Sequence, residues 1–222
     1  MKLLVAGAGG HGRVVADAAL ATLGFTSVAF LDDRKAGRTT IEGWPIVGTL
    51  DQLEELSSAF QAFVAGIADP ALRLSLLSRA RNAGISCATI IHPTATVSAH
   101  SSIGAGTVVI AGACINVGVR TGEACIINTG ATVDHDCVLA DAVHVCPGAH
   151  IAGNVEIGAR TWFGIGAVAR QGIRIGANAM IGAGSVVIHD LPDDVTVAGN
   201  PARILGPRDT PESGRGSAGV RG

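Results

Sequence analysis

Tyrosine is absent from this 222-residue chain, and aromatic residues make up only 3% of it. A core without rings must be assembled from Val, Ile, Ala and Gly; with 31 glycines, the composition suits narrow layers or coils better than a globule packed around aromatic side chains. A basic surplus is also missing. The net charge of −2 and pI near 6.4 leave no face suited to neutralising the phosphates of a nucleic acid. No apolar run reaches the roughly 18 residues of a bilayer-spanning helix, because Gly, Asn, Asp or His interrupts each one. The opening MKLLVAGAGGHG passes directly into a glycine motif without a cleavage-site pattern, so it predicts a strand and a cytoplasmic protein. The five cysteines, Cys87, Cys114, Cys125, Cys137 and Cys146, form no CxxC pair, which argues against a disulfide framework or a zinc site.

What is present is 48% hydrophobic residues, enough for one large domain or two small ones, and the two halves keep different periods. Over residues 1–86, KLLVAG, SVAFLDD and FQAFVAGI read as strands. HGRVVADAALATLG, LDQLEEL and PALRLSLLSRARNAG read as helices, the last opened by Pro70 and closed by Gly84. The order βαβαβα predicts a Rossmann-like α/β domain built on a small parallel sheet.

From His92-Pro93 onward the beat is six residues. Stepping by six from Val97 to Val187, fourteen of sixteen positions are Ile, Leu, Val or Phe, with Thr121 and Ala169 the exceptions. Four residues after each beat comes a second series, from Ser101 and Thr107 to Ala179 and Ser185, in which all but Ile173 are small. Cys125 and Cys137 fall in this series, where a thiol serves as a small hydrophobe. A period of six fits neither a 3.6-residue helix nor hairpins; it predicts a parallel β-helix over residues 87–205, of about five coils if three hexapeptides close each one. Gly104, Gly122, Gly158, Gly176 and Gly182 are expected to supply unusual backbone angles. The almost wholly polar stretch 206–222 predicts a disordered tail.

Two motifs carry chemistry. Gly7, Gly9 and Gly12 form GxGxxG between a strand and a helix, with Asp32 and Asp33 ending the next strand; this is the fingerprint of a dinucleotide site. Against NAD stands a domain about half the usual size, with no hydride-transfer domain behind it. The second motif is Asp134-His135-Asp136, two residues past the beat residue Val133, hence at an outward bend rather than in the core. A neutral imidazole beside a carboxylate suits a general base, although an exposed histidine without a role would look the same, and either aspartate could orient it. His144 follows by nine residues, half of an eighteen-residue coil. Such residues face different sides of one prism, so both can serve one site only where two chains meet.

GAGGHG on the first strand, together with hexapeptides containing VDHDC, closely resembles the left-handed β-helix sugar acyltransferases. The nearest branch is the sialic-acid O-acetyltransferase and bacillosamine-pathway N-acetyltransferase family. The resemblance implies a left-handed coil, a homotrimer with active sites between chains and acetyl-CoA as acyl donor; no metal is expected, since attack of an amine on a thioester needs none. It implies His135 as base and Asp136 as its orienter. For coenzyme A it implies the Gly153 NH facing the thioester oxygen, His144 near the thiol end, and Ile165, Ala183 and Pro201 along the arm. For a nucleotide-linked sugar it implies Gly9 and Gly10 at the diphosphate with His11 and Arg13 as further donors, Asp32 and Asp33 at the base or ribose, Asp69 and Arg73 lining the pocket, and Asn128 near the reacting amine. The activity so implied is acetylation of the 4-amino group of a nucleotide-activated deoxysugar for surface-glycan synthesis. O-acetylation of a sugar such as sialic acid, and a non-catalytic sugar-nucleotide-binding trimer, are the alternatives. His135, His144 and His150 are not spaced as a ligand set on one strand face.

Overall fold

The computed structural model describes residues 1–35, 37 and 39–208. Its first part is a sheet with strands β1 (Lys2–Ala6), β2 (Ser27–Leu31), β3 (Thr40–Ile41), β4 (Trp44–Gly48), β5 (Ala62–Ala65) and β6 (Ser86–Cys87). Their spatial order is β3-β4-β2-β1-β5-β6. All neighbours are parallel except β3 and β4, which form a hairpin. The hairpin lies outside the elements the periodicity predicts. Its signal is Glu42-Gly43, both at positive φ (50° and 82°), the residue pair of a tight two-residue turn.

Helix α1 (Gly10–Ala21) covers one face of this sheet and α3 (Pro70–Asn82) the other, with the single turn α2 (Leu53–Leu56) between them in sequence. Three cues start and stop α3: the Asp69 carboxylate accepts the Leu72 N–H at 2.8 Å, Pro70 occupies the first turn, and Gly84 turns the chain at φ 78°. The face of α1 bearing Val15, Ala16, Ala18 and Ala19 is buried between the sheet residues Leu3, Val5, Phe30 and Val64 and the outward residues Ile90, Val108 and Ile126 of the second part. Burying an aliphatic side chain of this kind contributes about 1.5–3 kcal/mol, so this shared core docks the front domain firmly on the second part.

The second part is a three-walled parallel β-helix. Strands pair with those eighteen residues on, as Ile126 with His144 and Thr132 with His150. The first wall runs through Ile90–Ile91, Val108–Val109, Ile126–Ile127, His144–Val145, Trp162–Phe163 and Met180–Ile181. The second runs from Thr96–Val97 to Val186–Val187, and the third from Arg120–Thr121 to Arg174–Ile175. The beat residues from Val109 to Val187 and the small series from Ala113 to Ala179 make one continuous buried core. Thr107 and Thr161, polar members of that series, are satisfied by donating to the Gly122 and Gly176 carbonyls and accepting from the Cys125 and Ala179 amides.

The glycines expected to supply unusual angles do something else. Left-handed backbone falls three residues after the beat, at Gly112, Gly130, Asp136, Asn154 and Asn178 among others. Gly104, Gly122, Gly158, Gly176 and Gly182, one residue after the beat, have ordinary φ and are glycine because the next coil leaves no room: a Cβ on Gly182 would lie 3.0 Å from the Ala198 side chain. The end of the β-helix also departs from the sequence reading. Val195–Ala198 pairs antiparallel with Arg203–Pro207, so Gly206 and Pro207 belong to a strand rather than a tail. Arg208 donates to the Arg160 carbonyl at 2.8 Å and to the Asn178 amide oxygen at 2.9 Å. The rest of the expected tail lies outside the described residues.

Candidate functional site

The order β2-β1-β5 places a topological switch point beside β1, where chains leave in opposite directions and open a crevice at the carboxyl ends of the strands. A cleft of about 660 Å³ lies there, between the glycine turn Gly7–His11, Asp32–Arg34 and the segment Gly66–Asp69. Helix α1 begins at the cleft with Gly9 as an N-cap that supplies no side-chain partner, so its first amides remain available to an anion. A Cβ on Gly9 or Gly10 would meet nothing within 4 Å; both face open space. Gly12 faces backbone instead, because its missing side chain lets α1 pass against the carbonyl of Gly7.

The other residues expected around this cleft divide. Asp32 is nearly buried, and its carboxylate accepts from Ala8 N at 2.6 Å and Arg34 N at 2.8 Å, so it props the glycine turn from behind. Asp33 and Asp69 line the cleft while also accepting from Leu50 N and Leu72 N. Arg13 turns away to pair with Glu42 at 2.6 Å on the β3–β4 hairpin. Arg73 does not line the cleft: it is 1% exposed and gives its N–H groups to carbonyls. A side chain in the second turn of α3 points at the β-helix, which the resemblance alone did not reveal.

His11 leads from the cleft to a second cluster. Its ring lies 6.1 Å from that of His144, which packs edge-on against Trp162 at 4.3 Å. The Asn128 Nδ2 is 3.2 Å from His144 Nε2. Burial, with the Arg73 charge assisting, holds His11 down to about 4 and His144 to about 3, so both are neutral at physiological pH. His144 is thus 5% exposed on the first wall, against the front domain.

The third cluster sits on the edge between the second and third walls, opposite the first. His135 Nδ1 is 2.9 Å from Asp136 Oδ2, and the imidazole is half exposed. Asp134 does not touch the ring; its Oδ1 accepts the His135 amide and the Asn116 side-chain N–H, both at 2.8 Å, which lowers its own pKa. A carboxylate only accepts, so the ring hydrogen resides on Nδ1 and the lone pair on Nε2. The Asp136 hydrogen bond, reinforced by both aspartate charges, raises the His135 pKa above its usual 6.5. Two glycines, each one coil away, make room for this pair. A Cβ on Gly153 would overlap His135 Nε2 and lie 2.5 Å from Cε1, while one on Gly118 would overlap Asp136 Oδ1. Gly118 escaped the sequence reading, although counting eighteen residues back from Asp136 finds it.

Ile165, Ala183 and Pro201 follow one another at eighteen-residue intervals along the edge between the first and second walls, with Gly184 N donating to the Ile165 carbonyl at 2.8 Å. Within one chain they are therefore a whole wall away from Gly153. Among the described residues, no group of three His, Cys, Asp or Glu is clustered as a metal site. No described helix is long and apolar enough to cross a membrane.

Fold and site together define a hexapeptide-repeat β-helix protein with a nucleotide-type cleft on its front domain. Residues 2–80 match the PglD N-terminal domain family. No match was found among curated proteins. The chain is similar to the acetyltransferase domain of PglB from Neisseria gonorrhoeae in complex with acetyl coenzyme A, at 42% identity and a TM-score of 0.88, over 92% of this chain and 98% of that one. It is similar to PerB from Caulobacter crescentus in complex with CoA and GDP-perosamine, at 40% identity and a TM-score of 0.87, over 93% and 98% of the two chains. WeeI from Acinetobacter baumannii matches at 30% identity and a TM-score of 0.85, over 92% and 100%. The chain belongs to this family of left-handed β-helix sugar N-acetyltransferases.

Proposed function

We propose that the protein is an acetyl-CoA-dependent N-acetyltransferase acting on the amino group of a nucleotide-linked deoxy-aminosugar. The observation that carries the reading is the His135–Asp136 pair lodged under Gly153, with Nε2 unblocked because Gly153 has no side chain. The family supplies the substrate class: relatives are in complex with acetyl coenzyme A, or with CoA and GDP-perosamine.

In this reading the nucleotide diphosphate rests on the free amides of α1 beside Gly9 and Gly10, with Asp33 and Asp69 offering acceptors to ribose or base. His11, neutral and backed by His144 and Asn128, borders the sugar end of the cleft. The amine attacks the thioester carbonyl while His135 Nε2 takes its proton, and Asp136 stabilises the imidazolium through Nδ1. The Gly153 N–H meets the oxyanion, after which the intermediate collapses and the thiolate of coenzyme A leaves.

Such a reaction needs more than one copy of the chain. The cleft rides on the first wall, His135 lies on the edge opposite that wall, and Ile165, Ala183 and Pro201 line another edge. Two prisms side by side bring the His135 edge of one to the cleft and arm-binding edge of the next, and cyclic closure gives a homotrimer with three shared sites. In this reading the enzyme works in the cytoplasm, in surface-glycan synthesis. The test is release of free coenzyme A, followed with a thiol reagent, over a panel of UDP-, GDP- and dTDP-linked 4-amino sugars beside free sialic acid. Turnover confined to an aminosugar nucleotide is expected; turnover only on a sugar hydroxyl, or none with any acceptor, would overturn the reading.

A further inference from the structure

Arg73 is the largest fully buried side chain among the described residues, and its hydrogen bonds go to carbonyl groups. Nη1 donates to Ile67 O at 3.1 Å and Ala68 O at 2.7 Å, both on the rim of the cleft. Nε donates to Ala124 O at 2.9 Å and Nη2 to Ala142 O at 2.8 Å. Ala124 and Ala142 occupy equivalent bends of successive coils, at φ 54° and 56°, and Ala142 is two residues from His144. One flat guanidinium thus joins three chain segments across the domain junction. Burial lowers its pKa to about 10, so it stays cationic at neutral pH. A buried charge without a bonded carboxylate is costly, and simple packing would be served as well by Leu or Met.

We propose that Arg73 is a positioning residue: by clamping the cleft-rim carbonyls of Ile67 and Ala68 to the bends at Ala124 and Ala142, it sets the height and angle of the nucleotide-sugar cleft on the β-helix. This rests on the N-acetyltransferase reading above, in which the amine bound in the cleft must meet an acetyl group held by the β-helices. The shared apolar core resists separation of the domains, but it is non-directional and permits sliding. The four directed bonds oppose that sliding. Lysine cannot replace them, since one ammonium on a flexible stem has three donors at a single point and no fork to span the four carbonyls.

The test compares wild type with Arg73→Lys and Arg73→Met as full chains, by steady-state kinetics with the aminosugar nucleotide that the wild type accepts. A shift of about 1 Å at the reacting atoms lowers the rate on the order of 10²-fold. We therefore expect kcat/KM for the nucleotide sugar to fall by on the order of 10² in Arg73→Met, and by roughly tenfold in Arg73→Lys, which keeps the charge but loses the fork. The KM for acetyl-CoA should stay within about twofold, because its edges lie away from the junction. Unchanged constants for the nucleotide sugar in either folded variant would overturn the proposal, as would a rise of about tenfold or more in the KM for acetyl-CoA. Should Arg73→Met fail to fold, Arg73→Lys alone decides. A wild type inactive on every acceptor would count against the reaction rather than the clamp; the clamp would then be read from binding of UDP- and GDP-sugars, which Arg73→Lys should weaken and which, if equal to wild type, would overturn it.

Discussion

Replacing Gly153 with alanine adds one methyl group directly over the base. The methyl would overlap His135 Nε2 and lie 2.5 Å from Cε1 and 2.9 Å from Cδ2. Ordinary contact between such atoms is about 3.5 Å or more, so the ring has to move by roughly 1 Å. It can do so cheaply, because it is half exposed and held by the single bond to Asp136. The Gly153 backbone is outside the left-handed region, so alanine fits the main chain and removes freedom from the unfolded state, worth about 0.4–1 kcal/mol in favour of folding. The expected result is a Tm equal to or slightly above wild type, together with a fall in kcat of about 10²-fold, near 2.7 kcal/mol of transition-state stabilisation. In a His135→Ala background the same substitution should cost nothing further, since the group it displaces is gone. Thermal unfolding and steady-state coenzyme A release measure both quantities. Near-normal kcat in Gly153→Ala, or a full additional loss in the double variant, would refute the idea that this glycine acts by leaving space over the base.

Other outcomes rest on the same geometry. His135→Ala should lower kcat by on the order of 10²–10⁴ with the fold retained; normal turnover would remove it as base. Because Asp136 raises the His135 pKa, neutral imidazole is lost as pH falls through a value above 6.5, and the acid limb of kcat/KM lies there. Asp136→Ala should move that limb to lower pH while lowering the plateau roughly tenfold or more, and an unmoved limb would contradict the assignment. Gly118→Ala forces a side chain onto φ 76° and against Asp136, so it should destabilise by about 1–2 kcal/mol in denaturant unfolding and depress activity. Asp32→Asn should reduce stability by about 1–3 kcal/mol and weaken nucleotide-sugar binding in calorimetry, because the amide can no longer accept from both Ala8 N and Arg34 N.

The β-helix was legible because its signal is strictly local: each hexapeptide repeats the same inward residue, and the eighteen-residue coil emerges once three hexapeptides close a turn. With that length known, Gly118 and Gly153 can be counted from Asp136 and His135, and the division of His135 and His144 between different sides was readable for the same reason. The β3–β4 hairpin was not, since Pro45 breaks its alternation and Glu42 is an uncommon residue at positive φ. Side-chain direction was the larger gap. Arg13 was expected at the diphosphate and Arg73 along the pocket, yet one pairs with Glu42 and the other enters the domain junction, because both contacts join segments distant in sequence. The glycines one residue after the beat were misread for a related reason: what they lack room for is the backbone of the next coil.

The central claim, that each site combines the cleft of one chain with the His135 edge of another, can be tested by mixing two inactive variants. Gly10→Glu fills the anion site with negative charge while keeping a residue favourable at a helix start, and His135→Ala removes the base. Co-expressed at equal levels, they should assemble hybrids in which about a quarter of the sites hold an intact cleft beside an intact His135, and coenzyme A release should recover to about that fraction of wild type. Hybrids that form but stay as inactive as either parent would mean that both halves of the site come from the same chain, contradicting the account.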